Sequence, residues 1–152
     1  MELPFIVENA REQERLRALL NRLTDQELNL PLGEGWTVAA ALAHIAFWDQ
    51  RAAVLMRRWK EGSLVAPSPV DTDVTNDALL PLLLAIPPRV AGNLAIASAE
   101  AIDREIKQAS PSLIADIERL GDKFRLWRSA HRRSHLDQIE SMLRGRSQSI
   151  KA

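Results

Sequence analysis

The chain has 152 residues, 46% of them hydrophobic and 26% charged, and its 20 basic residues are balanced by 20 acidic ones. Zero net charge argues against the basic footprint of a general nucleic-acid binder. The absence of cysteine rules out disulfides, thiolate metal ligands and a cysteine nucleophile, so any thiol chemistry must draw its sulfur from a small molecule.

This length suits one domain over residues 1–152, large enough for a real hydrophobic core. The opening MELPFIVENAREQERL has no positive n-region and only a short apolar run, unlike a secretory signal. Charges or prolines interrupt every apolar segment before it reaches bilayer-spanning length. The expectation is a soluble, cytoplasmic protein without nucleic-acid or membrane partners. A local basic cluster, Arg125, Arg128, Arg132 and Arg133 with Arg144, Arg146 and Lys151 beyond, alternates with Asp137 and Glu140. It reads as a solvated, salt-bridged surface.

Helix signals dominate the chain. From Phe5 to Leu23, the apolar residues Phe5, Leu16, Leu19, Leu20 and Leu23 recur at helical spacing among Glu, Arg and Gln. Thr24-Asp-Gln-Glu27 has the form of a capping box and predicts a short helical turn. Leu30 to Gly35, with one proline and two glycines, reads as a loop. A second long helix is expected to begin at Trp36-Thr37, with Thr37 as its N-cap, and to run to Lys60. Its apolar stripe is Ala41, Leu42, Ile45, Trp48, Ala52, Leu55 and Trp59, with His44 in or beside it. Gly62 marks the stop.

Glu61 to Asp73, containing Pro67 and Pro69, is the longest irregular stretch, and loops of this length often border a site. Thr75 to Ile86 reads as a short helix interrupted by Pro81. Pro88 suits the first turn of a third long helix over Arg89–Ala109. Its expected buried side is Val90, Leu94, Ala97, Ala101, Ile102 and Glu105/Ile106, with small residues permitting close approach. Ser110-Pro111 opens a further short helix carrying Leu113, Ile114, Ile117 and Leu120, which Gly121 ends. The last long helix is expected over Lys123–Leu143. No segment shows sustained strand alternation. Four long helices with short connections predict an all-α four-helix bundle.

The last helix carries Phe124, Trp127, His131, His135, Gln138 and Met142 at steps of three or four, which makes one stripe. Two imidazoles four apart on a helix can chelate one ion. His44 is the only other histidine, so a third nitrogen has to come from the second long helix. Spacing alone leaves this reading beside a plainer one, in which all three are core or incidental histidines. Three neutral imidazoles would leave open coordination positions, as in catalytic zinc sites, and nickel or iron also accept nitrogen donors. Gln138 is placed to orient a bound water or a ligand. Arg51 and Arg128 are candidates to hold a substrate carboxylate, with surface charge as the competing reading. No general base is evident, and Trp48, Trp59 and Trp127 read as core.

Two segments carry a family resemblance. GWTVAAALAHIAFWD resembles the second-helix signature of the DinB-like superfamily, and WRSAHRRSHLDQIE resembles its final-helix signature. VTNDALLPLL through IPPRVAG resembles the linker and third helix. The resemblance implies a four-helix bundle with a non-sequential helix arrangement and a divalent metal, zinc or nickel, on His44, His131 and His135. It further implies a thiol-dependent transferase or a related activity on a small electrophile, with a low-molecular-weight thiol as co-substrate, and homodimers are common among similar proteins. The alternative is a non-catalytic metal- or ligand-binding bundle or a dimerising scaffold.

Overall fold

The computed structural model describes residues 2–151, which are helical apart from one small hairpin and the connections. The helices are α1 (Pro4–Arg22), α2 (Asp25–Leu28), α3 (Val38–Lys60), α4 (Thr72–Leu84), α5 (Pro88–Gln108), α6 (Pro111–Glu118) and α7 (Arg128–Lys151). A hairpin of β1 (Pro31–Gly33) and β2 (Trp36–Thr37) occupies the segment expected to be an open loop. Its turn runs Gly33, Glu34 and Gly35 in succession at positive φ, a conformation that glycine adopts freely and glutamate rarely.

Local signals set most helix starts. Thr24 and Glu27 form both halves of the capping box on α2. Thr37 accepts from the Ala40 amide at the start of α3, and Ser110 accepts from the Leu113 amide at the start of α6. Asp71 caps α4 by accepting from the Val74 amide. That helix therefore begins three residues before the expected Thr75, and Pro81 falls in its last turns.

The long helices α1, α3, α5 and α7 form the bundle. α1 packs against α5 and α7, and α3 packs against the same two, so α1/α3 and α5/α7 are diagonal pairs. Of the sequence-neighbouring pairs of long helices only α3 and α5 sit side by side, while α1/α3 and α5/α7 do not, in keeping with the non-sequential arrangement that the resemblance implies. The α3–α5 contact is the most extensive and is lined by small residues, with Ala91, Ala95 and Ala99 of α5 fully buried. Gly92 continues this logic, since a Cβ there would collide with the side chain of Leu20 on α1.

The buried face of α5 corrects one expectation. Val90 and Leu94 are 46% and 42% exposed, and Ala97 is exposed too. Ala91, Ala95, Ser98 and Ala99 lie inward, continued by Ile102 and Ile106. Close approach to α3 selects the smallest side chains rather than the most hydrophobic ones. α7 gives a second correction, because it begins at Arg128 rather than Lys123. Asn9 on α1 accepts from the Ser129 amide at 2.8 Å and donates to the Leu126 carbonyl at 2.8 Å. This side chain from another helix satisfies one of the orphan amides of the first turn. Phe124 is buried from extended backbone outside the helix, whereas Trp127 is 46% exposed and meets Phe5 edge-on. Trp127 is therefore not the core residue its spacing suggests.

The basic cluster is also not uniformly solvated. Arg125, Arg144 and Arg146 are exposed, and Arg133 pairs with Glu8 and Glu12. The side chain of Lys151 lies outside the described residues. Arg132, in contrast, is 0% exposed and sits between two apolar layers of the core. Its Nε donates to Asp49 at 3.2 Å. One amino group donates to the Asn9 carbonyl at 3.0 Å and to Asp103 at 2.9 Å, and the other to Asp103 at 2.8 Å and the Ala99 carbonyl at 3.4 Å. All five guanidinium N–H donors are thereby used. Asp49, also fully buried, accepts a second charge-assisted bond from Arg128 Nε at 2.9 Å. Two carboxylates and two guanidiniums balance, and together with Asn9 they join all four long helices.

Removing one partner from such a cluster strands the rest in a low-dielectric interior. Arg132→Met should cost about 3–5 kcal/mol, read as a lowered urea midpoint with an unchanged slope. A loss below about 1 kcal/mol would place the cluster with ordinary surface pairs.

Candidate metal centre

His44 lies in the second turn of α3, and His131 and His135 lie one turn apart near the start of α7. The two helices are bundle neighbours, and their rotation is fixed by the Asp49–Arg132 and Asp49–Arg128 pairs. Arg132 takes the position facing the bundle axis. His131 and His135 are thereby turned toward the flank of α3 that carries His44.

The three rings converge through one type of nitrogen. His44 Nε2 is 3.1 Å from His131 Nε2, and His135 Nε2 is 3.2 Å from the same atom. The candidate ligand atoms of the three residues all lie within 4.8 Å of one another. Imidazole nitrogens held at about 2.1 Å from a common ion lie about 3.0 Å apart at a right angle and about 3.4 Å apart at the tetrahedral angle. The two observed separations fall between these limits.

Hydrogen bonding alone accounts poorly for this arrangement. A neutral ring nitrogen has either one proton or one in-plane lone pair, so His131 Nε2 cannot make ordinary bonds to both neighbours. Nδ1 of each of the three rings is buried without a protein hydrogen-bond partner. Three facing lone pairs with three unpaired N–H groups behind them would be costly in a metal-free protein. A cation between the Nε2 atoms removes the lone-pair repulsion, and the donor set fits a borderline-soft divalent ion. The triad is thus capable of coordinating metal.

Electrostatics favour the neutral rings that coordination requires. Burial pushes the His44 pKa down to about 4, with the charge of His135 adding to the effect. Burial pushes His131 down to about 3, followed by His135, His44, Arg128 and Arg132 as further causes. His135 is also lowered by burial. Gln138 is close enough to oppose that shift, although no hydrogen bond of ordinary geometry ties it to His135 Nδ1.

His44 and His135 open onto a cavity of about 710 Å³ whose rim includes Glu34, Trp36, Asn76 and Gln138. Trp36 meets the His44 ring edge-on at 5.5 Å, and Trp48 does so at 6.4 Å. Trp48 Nε1 donates to Asn76 Oδ1 at 3.0 Å, which pins α4 over the site. Of the residues expected to touch substrate, only Gln138 borders this cavity. Arg51 and Arg128 line a different cavity, which Trp48 also lines. The 61–71 loop borders that cavity and another beside α6, but not the triad's.

Two rim residues escape sequence reasoning. Asn76 arrives on α4, and no periodicity links that helix to the histidines. Glu34 is the one carboxylate among the lining residues, and its only local signal is the flanking Gly33 and Gly35.

The family model for the DinB superfamily matches residues 8–143, so the chain belongs to the DinB superfamily. No curated protein and no solved structure matches it. Among the described residues, no helix is long and apolar enough to cross a membrane.

The lowered pKa values fix the sign of a pH effect. Rings held neutral in the folded state, against 6.5 when unfolded, contribute their full stability above pH 6.5. That contribution falls as pH drops through the interval from 6.5 to about 3–4. The urea midpoint of metal-free protein should fall as pH is lowered across this range, and His131→Gln should flatten the slope of midpoint against pH. Identical slopes for the two proteins would contradict the burial of neutral imidazoles.

Proposed function

We propose that this member of the DinB superfamily is a metal-dependent enzyme in which His44, His131 and His135 hold one divalent ion, zinc or nickel. Its reaction class is transfer of a low-molecular-weight thiol, or a related addition, onto a small electrophile. The observation that carries the reading is the convergence of three Nε2 atoms in a cluster whose His44 and His135 line an open cavity. When bound, the ion supplies Lewis acidity and lowers the pKa of a thiol or water at its open positions. With no cysteine in the chain, the thiol is a co-substrate.

The side chains around the triad divide the remaining work. Trp36 lines the cavity and packs edge-on against the His44 ring, and Trp48 packs edge-on against the same ring from outside the lining. Asn76, held by Trp48, presents its amide at the rim, and Gln138 presents another beside His135. Glu34 is the carboxylate placed to accept the proton that a thiol or water releases. A glutamate held at φ 54 between two glycines fits the tendency of strained backbone to occur at working sites.

A second reading, a non-catalytic metal- or ligand-binding bundle, draws on the Nδ1 atoms. Catalytic metal sites usually fix each histidine through an acceptor on its other nitrogen, and these three have none in the protein. Turnover of thiol-plus-electrophile mixtures separates the two readings.

Metal analysis of protein purified without a histidine tag should find stoichiometric zinc or nickel, and His131→Ala should lose it. Added metal at about 100 times its dissociation constant should stabilise the wild type by about 2.7 kcal/mol and leave the variant unchanged. Equal metal content and equal stabilisation in both would overturn the assignment.

A further inference from the structure

A second cavity, of about 500 Å³, lies between α3, the loop through Pro67 and Pro69, and the turn that leads into α7. Its lining carries Arg51, Lys123, Arg125 and Arg128 against a single acid, Asp122. Asp49 behind the wall balances Arg128, so three remaining cations less one anion leave two excess positive charges in one concavity of a chain whose charges sum to zero. Low-dielectric walls concentrate the field of such a cleft.

Two of the four cations are held in place. Arg51 donates to the Ser68 carbonyl at 2.6 Å and lies 5.9 Å from the centre of the Trp48 ring. Arg128 is 12% exposed and commits its Nε to Asp49. Its two amino groups have no protein acceptor and are not sealed from solvent, so they open onto the cavity. Lys123 and Arg125 are exposed and make no ion pair among the described residues. Trp48, Val70 and Phe124 supply an apolar wall. A planar guanidinium held in advance loses little entropy when it binds a carboxylate or phosphate through paired hydrogen bonds.

We propose that this cavity is an anion site for a small organic molecule carrying two or more carboxylate or phosphate charges. It is separate from the histidine cluster and needs no metal there. The two cavities share no lining residue; Trp48, edge-on to the His44 ring, lines the one that holds Arg51.

The test is titration calorimetry of the metal-free, full-length protein at low salt, with citrate and inorganic phosphate in separate arms. Saturable binding of at least one anion is expected, and the stronger arm tells carboxylate from phosphate preference. Arg51→Gln should weaken binding about tenfold or more. The double variant Lys123→Gln/Arg125→Gln should weaken it and reduce its salt dependence. Arg58→Gln, which removes an exposed cation of α3 outside the cavity, and His131→Ala should both bind as the wild type does. The proposal is overturned if neither anion binds saturably, or if the cavity variants bind like the wild type. It is equally overturned if His131→Ala removes the binding.

Discussion

Arg132 makes a demand on the chain that few residues make: a permanent charge at the centre of a bundle, with five N–H donors to satisfy. The other three long helices meet it jointly. α3 contributes Asp49, α5 contributes Asp103 and the Ala99 carbonyl, and α1 contributes the Asn9 carbonyl. A hydrophobic side chain of similar volume could fill the space, and buried ion pairs often add little net stability over such a replacement. What the cluster supplies is a defined arrangement. Rotating α7 by one residue, or sliding it by a turn, would strand two carboxylates and a guanidinium in apolar surroundings.

The site depends on that arrangement because it is built from the same two helices. His131 adjoins Arg132, and His44 precedes Asp49 by little more than a turn. Once Asp49 engages Arg132 and Arg128, the angular positions of His44, His131 and His135 about their helix axes are set. The triad therefore inherits its geometry from a polar layer that does not touch it. The same layer raises the electrostatic stakes, since Arg128 and Arg132 lower the His131 pKa. Their carboxylate partners keep the neighbourhood neutral enough to accept a divalent cation.

Much of the fold is legible in the sequence where the cause is local. Thr24 with Glu27, Thr37 and Ser110 name their helix starts because a capping side chain bonds an amide two or three residues away. Where the cause is another helix, the sequence misleads. Lys123 reads as a helix start because the true cap, Asn9, lies about 120 residues away in the chain. Val90 and Leu94 read as core because they are more hydrophobic than Ala91 and Ala95, yet α3 comes too close to accommodate them. Arg132 reads as surface because nothing in its own segment reveals Asp49 and Asp103. For the site, spacing puts His131 and His135 on one stripe and His44 near another. Convergence of their Nε2 atoms depends on helix order and rotation, which spacing does not encode. Glu34 and Asn76 belong to connecting segments with no periodicity to read.

The central claim is that the bundle aims three Nε2 atoms at one ion, and anomalous diffraction tests it most directly. Crystals of tag-free protein grown with metal would be measured on both sides of the zinc and nickel absorption edges. The account predicts a single peak about 2.0–2.2 Å from Nε2 of His44, His131 and His135, with the Arg132 cluster intact beneath it. A peak bound through Nδ1, a peak elsewhere, or no peak in metal-supplemented crystals would contradict it.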